Sequence, residues 1–465
     1  MILARSVEIG KFSGYLGAIE NSSNFPHAIT TGSTMSLFQI FWGGTLSFPF
    51  LVILFSIGLT APMNSNAQEI DVWVGTGGKE GIFHVKLNTE TGKLSKPVNV
   101  AKIAGAGFLA MHPTKSVIYS TGKQGNENGI AAFAIAEDDQ RIKQELFKAN
   151  SQLEDLKARF APNHPEVKAT EDLIKKLTKV AHSNGKPRLD LLNFVSSGDG
   201  GAACVGVDKT GSVVMSAQYG GGSTSTYTLN EDGSIKALVD AIEHGPGSNV
   251  NPRRQAESHP HWVGTSPDNK FLFVPDLGKD AVVVYQLDSK TGVGKKHGEV
   301  STPQGSGPRH MKFHTSGKYV YVLNELSLTI SVFGYESDSA KFSELQVIET
   351  LPAELKDKHL NSAAEIRVHP NGKFVYSSNR GHDSISVFSV DQSTGKLTFV
   401  EREHIRGATP RNFNLDPSGK WLLAGGQRSN TLTAFEVDQA TGKLTYNRQC
   451  VNIPAPICIL FENES

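Results

Sequence analysis

The chain has 465 residues, with 46 Lys+Arg against 46 Asp+Glu, 20% charged residues and 46 glycines. Zero formal net charge argues against a nucleic-acid partner, which would need a basic face, and the length fits two or three ordinary domains or one large repeat array. Three cysteines, Cys204, Cys450 and Cys458, permit at most one disulfide, and no CxxC pair or Cys/His cluster at zinc spacing exists.

Residues 1–67 form an extension unlike the rest. The apolar run "FPFLVILFSIGL" (48–59) has the length of a signal-peptide core and is short for a membrane span. Ser65 and Ala67 then occupy the −3 and −1 places of a cleavage site. No Lys or Arg immediately precedes the run; Arg5 and Lys11 lie far upstream. The segment predicts an exported protein, periplasmic or extracellular, with an uncleaved membrane anchor as the alternative.

From 68 to 465 the sequence repeats. One half-unit is a turn leading into a short β-rich run: "SPDNKFLFV" (266–274), "TSGKYVYVL" (315–323), "HPNGKFVYSS" (369–378) and "DPSGKWLLAG" (416–425), with fainter copies at 112–121 and 208–217. The other half is a strand ending in a polar turn, as in "SVFSVDQSTGKL" and "TAFEVDQATGKL". Seven units at a spacing of about 50 residues predict an all-β, seven-bladed β-propeller with four strands per blade. The first unit lacks its opening half, so the tail "RQCVNIPAPICILFE" is expected to supply that strand and close the ring.

Between 137 and 185 the rhythm changes. Ile142, Leu146, Ala149, Leu153, Leu156 and Phe160 follow steps of four and three, "PNHP" interrupts, and Val167, Ile174, Leu177 and Ala181 resume. This predicts a helical hairpin inserted after the second unit, either an ornament packed on the side of the propeller or a contact element for a partner or for a second copy of the chain in a homodimer.

Superposing the units on the turn "P-x-G-K" locates a site. Before that turn, at equivalent heights, stand His261, Arg309, Ala364 and Arg411; after it, Leu277, Glu325, Arg380 and Gln427. The third unit gives Ala203 and Tyr219. One meander, down the inner strand and back along the second, brings both sets to the same end of a blade. His259 and His310 flank the inner strands, and Asp276, Asn324 and Asn379 precede the second set. Crowded charges of this kind belong beside water or an anionic ligand.

The stretches "ESHPHWVGTSPDNKFLFVPDLGKDAVVVY", "GPRHMKFHTSGKYVYVLNEL", "AEIRVHPNGKFVYSSNRGHDSISVF" and "PRNFNLDPSGKWLLAGGQ" resemble the lactonase family of seven-bladed propellers, which includes bacterial 6-phosphogluconolactonase and the fungal carboxymuconate-lactonizing enzyme. The resemblance covers most of 69–461. It implies that the family's histidine is His261, its "PRH" arginine Arg309, its "NEL" glutamate Glu325 and its "NRG" arginine Arg380. Tyr219 matches the tyrosine of an "NYGGGS"-like segment, with Gln218 in place of the usual Asn. His259, His310, Tyr219, Asp276, Asn324, Asn379 and Arg411 are then expected to bind substrate.

Lactone opening needs an activated water and stabilisation of an oxyanion. Arg309 or Arg380 supplies fixed positive charge, and His261 or Glu325 a general base, with Glu325 slightly preferred. The scheme needs no metal and no cofactor, and it takes a small lactone or acidic sugar-derived substrate. Two other readings stand beside it: an extracytoplasmic muconate-cyclase-like enzyme, and a non-catalytic propeller that binds a ligand or partner. No GxSxG nucleophile elbow occurs.

Overall fold

In the computed structural model, which describes residues 69–135, 139–181, 187–356 and 361–462, seven four-stranded antiparallel sheets are arranged as the blades of a propeller. The 48–59 run and the Ser65/Ala67 site lie outside the described residues. The first blade runs from Pro456–Phe461 at the axis through Glu69–Thr76 and Ile82–Asn88 to Val98–Ala101. The expected closure is present: Val72 pairs with Phe461 and Val74 with Ile459. The inner strands of the second to seventh blades are Leu109–Met111, Ala202–Val207, Gly264–Thr265, Pro308–Phe313, Ser362–Val368 and Pro410–Leu415.

The repeated turns work through named atoms. In "D-x-x-T-G" the carboxylate accepts backbone N–H groups two and three residues on, as Asp391 Oδ1 does from Ser393 (2.8 Å) and Thr394 (3.1 Å). Gly395 then takes φ 71°, a left-handed turn that costs a side-chain-bearing residue free energy. At the opposite turns, histidines latch one blade to the next. Nε2–H of His314 donates to the Gly372 carbonyl at 2.8 Å, and that of His369 to Gly419 at 3.0 Å. Tyr321 and Tyr376 add hydroxyl bonds to the carbonyls of Gly395 and Gly442. Apolar side chains fill the space between blades, for example Leu323 and Val332 of the fifth against Ile366 and Phe388 of the sixth.

One irregularity recurs. The register between inner and second strands shifts between Ala202 and Cys204, Pro308 and His310, Ala363 and Ile366, and Pro410 and Asn412. In the fourth blade the Pro260–Asp276 bridge and the Gly264–Phe273 pair are likewise out of register by one. A β-bulge leaves its extra residue unpaired and free to be re-aimed. The residues left over are Ala203, Arg309, Ala364 with Glu365, and Arg411, and His261 falls in the equivalent gap.

The inserted hairpin is α1 (Asp139–Arg159) and α2 (Pro165–Ala181), closed over Leu153, Leu156 and Val167. Its position differs from the expectation. It does not follow the second blade but interrupts it, leaving after the third strand, Glu127–Ile135, and returning into the outer strand, Leu189–Ser196. An outer strand pairs on one side only, so a long excursion before it leaves the inner three strands undisturbed. No helix among the described residues is long and apolar enough to cross a membrane.

Candidate active site

A cavity of about 580 Å³ opens among loops and strand ends contributed by all seven blades, from Gly77 of the first to Arg411 of the seventh. His261, Arg309, Glu325, Arg380, Tyr219, His310 and Arg411 all line it. The bulges bring Arg309 and Arg411 inward; the ends of the second strands bring Tyr219, Glu325 and Arg380 to the same rim.

Glu325 is the centre of the arrangement. Its Oε2 lies 3.0 Å from Nε of Arg309 and 3.0 Å from Nη2 of Arg380, and its Oε1 2.7 Å from Nη2 of Arg254. Burial alone would raise this carboxyl, but Arg380, Arg309 and Arg254 outweigh it and bring it down to about 2. Arg380 Nη2 also donates to the Ala363 carbonyl at 2.8 Å, and Arg309 Nη1 to that of Ala364.

Behind Arg309 runs a second buried chain. Its Nη1 donates to His310 Nε2 at 3.1 Å, and His310 Nδ1 donates to Glu365 Oε1 at 3.0 Å. A guanidinium can only donate, so His310 is neutral with its proton on Nδ1. Burial lowers its pKa to about 4 despite Glu365, with Arg309 adding to the fall. Glu365 also receives a bond from Asn412 Nδ2, and it is held below the usual carboxylate range by His310 and Arg367 against the opposing effect of burial.

His261 is buried, and its Nδ1 has no hydrogen-bond partner among the described residues. Burial first, then Arg309, His310 and Arg411, drive its pKa well below 6.5, so the imidazole is neutral near pH 7. Its ring stands edge-on to Tyr219 at 5.4 Å. Arg411 has no carboxylate within ion-pair distance among the described residues, and its pKa is lowered by burial and by Arg380.

Four of the expected substrate-binding residues lie behind the cavity wall. Asp276 is fully buried: its Oδ2 accepts from His244 Nδ1 (2.8 Å) and its Oδ1 from the His259 backbone N–H (2.7 Å). His259 stacks on Tyr219 at 4.5 Å and donates from Nδ1 to the Tyr219 carbonyl. Asn324 and Asn379 spend their amides on hydroxyls of the neighbouring strand, Ser331 and Ser386, at 3.0 Å each. These four hold the wall in place. Asp276, Asn324 and Asn379 recur because the blade recurs, which is why unit superposition selected them.

The sequence reading missed Arg254, Lys123 and Glu365. Arg254 and Lys123 line the cavity, and Arg254 also donates to the Tyr219 hydroxyl at 3.2 Å. Arg254 rides on a loop between blades that belongs to no repeat half. The loop is pinned where Gln255 Nε2 donates to Asp280 Oδ1 (2.6 Å) and to the Leu277 carbonyl (2.9 Å). The available signals were the pair "RR" in a polar loop and an acidic residue inside an inner strand, "AEIRV". Among the described residues the lining thus carries five cationic side chains, Lys123, Arg254, Arg309, Arg380 and Arg411, against the single carboxylate of Glu325.

A family profile described as "Lactonase, 7-bladed beta-propeller" matches residues 71–158 and 168–461. The 6-phosphogluconolactonase of Bacillus subtilis (strain 168) is 33% identical over 394 residues, covering 84% of this chain and 97% of the relative. Among solved structures, a protein from Lactobacillus plantarum superposes with a TM-score of 0.70 at 28% identity, covering 85% of this chain and all of that one. The periplasmic gluconolactonase of Pseudomonas aeruginosa superposes with a TM-score of 0.69 at 26% identity, covering 85% of this chain and 99% of its own.

Proposed function

The chain belongs to the lactonase family of seven-bladed β-propellers, and from that premise we propose that it hydrolyses a sugar-acid lactone bearing an anionic group, as a 6-phosphogluconolactonase does. The observation that carries this reading is the pairing of a strongly cationic cavity with a buried, neutral imidazole whose Nδ1 is unpartnered among the described residues.

Water adds to the lactone carbonyl carbon while the imidazole of His261, which lines the cavity, accepts its proton. His261 is favoured over Glu325 as base because Glu325 is already committed: its Oε1 accepts from Arg254 and its Oε2 is ion-paired at 3.0 Å with both Arg309 and Arg380. Arg411, without a carboxylate partner among the described residues, and Arg380, which lines the cavity and shares Glu325 with Arg309, stabilise the oxyanion or hold the substrate's anionic group. Arg309, buried and tied to Glu325, His310 and the Ala364 carbonyl, fixes the positive field. The ring C–O bond then breaks, leaving a hydroxy acid that releases one proton at neutral pH.

Proton release on a lactone panel tests the reading, with wild type compared with Arg309→Ala and Glu325→Gln. A wild type that opens no lactone above the uncatalysed rate removes the hydrolase reading; two fully active variants remove the residue roles.

The leader-like run at 48–59 supports a second reading, an unphosphorylated lactone as substrate in an extracytoplasmic compartment. The likeness to a periplasmic gluconolactonase points the same way. A reporter fusion across residues 1–80 locates the compartment, and kcat/KM for phosphorylated against unphosphorylated lactones separates the substrates.

A further inference from the structure

Lactone hydrolysis needs two proton transfers at neighbouring oxygens, and the base accounts for one of them. The attacking water and the departing ring oxygen are bonded to the same carbon, so an acid for the second must stand beside the base. The departing oxygen of a sugar lactone is an aliphatic alkoxide, about as basic as hydroxide, and it leaves poorly unless protonated as the bond breaks.

Tyr219 occupies that place. Its ring lies 5.4 Å from that of His261, edge to face, on the same wall of the cavity. Arg254 Nη2 reaches its hydroxyl at 3.2 Å. Because a guanidinium only donates, the phenol oxygen accepts this bond, and the hydroxyl has no acceptor of its own among the described residues. The orientation of the ring is fixed from behind. His259 stacks on it at 4.5 Å with 14° between planes, bonds the Tyr219 carbonyl at 2.8 Å, and is itself held by the buried Asp276–His244 pair. The phenol is therefore clamped on the cavity wall, with Arg254 bonded to its oxygen and its hydroxyl left free to donate.

Resting on the lactonase reading above, we infer that Tyr219 is the general acid that protonates the departing ring oxygen. As the ring C–O bond breaks, its electron pair stays on oxygen and takes the Tyr219 proton, while Arg254 bonds the tyrosinate that results. The proton taken from water by His261 returns to Tyr219 through solvent, and the net change is one lactone and one water converted to a hydroxy acid. His259 is a positioning residue in this scheme, as are Asp276 and His244.

The test separates a chemical role from a structural one by leaving group. Two neutral six-membered lactones are compared: δ-valerolactone, whose leaving group is an aliphatic alkoxide, and 3,4-dihydrocoumarin, whose leaving group is a phenolate that departs without help. Tyr219→Phe keeps the ring and its stacking on His259. The expected result is a kcat loss of about 10²-fold or more on δ-valerolactone, and at most about 3-fold on dihydrocoumarin, with an unchanged melting temperature. Equal losses on both substrates, or no loss on either, overturn the assignment. If wild-type protein hydrolyses neither lactone nor any sugar-acid lactone, the hydrolase reading itself falls and takes this one with it.

Discussion

Arg309 Nε and Glu325 Oε2 stand 3.0 Å apart, although one residue lies in the inner strand of the fifth blade and the other just beyond the end of the second. Both are almost wholly buried, at 2% and 4% exposure, so neither is solvated when its partner is lost. Glu325→Gln leaves three guanidinium groups facing one another, and breaking a buried pair of this kind costs about 3–5 kcal/mol. The expected outcome is a lower melting temperature, partly restored by millimolar phosphate or sulfate, together with reduced kcat/KM. Thermal melts with and without the anions measure it.

Arg411 behaves in the opposite way. It is a buried cation without a carboxylate partner among the described residues, beside Arg380, so the folded state gains little from its charge. Arg411→Gln is expected to leave the melting temperature unchanged or raised, while KM for an anionic lactone rises by about 10-fold or more, the value of a charged hydrogen bond. Steady-state kinetics on an anionic and a neutral lactone, paired with melts, check both halves.

For His261, the lowered pKa sets the shape of the pH profile. The imidazole is unprotonated above its folded pKa, so kcat/KM is expected to show no acid limb at 6.5 and to fall only well below it. His261→Asn should lose about 10²–10⁴-fold in kcat/KM while folding normally. A wild-type acid limb near 6.5 contradicts the role.

Stability follows pH through His310. The unfolded imidazole takes up a proton near 6.5, the folded one only near 4, so the unfolded state binds more protons throughout that window. Stability is therefore lost as the pH falls from about 6.5 to about 4. Glu365, held below its ordinary 4.5, adds a further loss below that pH. Melts across pH 4–7 are expected to slope downward toward acid, and His310→Gln to flatten the slope.

The ring was legible in the sequence because its turns are chemically explicit. An Asp or Asn followed by Gly at a fixed distance marks each reversal, and the odd strand at the C-terminus had only one unfilled place to go. The cluster of His261, Arg309, Glu325, Arg380 and Arg411 was legible for a related reason. The inner strands of the third, fifth, sixth and seventh blades bulge at the same point and the fourth blade slips register at the equivalent place, so constant spacing in the chain corresponds to constant height at the rim. The same superposition also selected Asp276, Asn324 and Asn379, because spacing carries height but not the side of the strand that a residue faces. Arg254 stayed hidden because the loop between blades has no counterpart to superpose. Glu365 stayed hidden because the register of its strand resumes only at Ile366, which leaves a second residue beside Ala364 in the gap that a one-for-one superposition of units does not count.

The inner strand of the first blade, Pro456–Phe461, is also the last strand of the chain. It meets Glu69–Thr76, its neighbour in the sheet, only across the six intervening blades, so without it the first blade has a bare edge at Glu69–Thr76. Completion of the ring carries a loop-closure cost that spans nearly 400 residues of intervening chain. A chain terminated before Pro456 is expected to present that edge to other copies and aggregate, and a peptide of residues 453–462 added in trans to rescue it.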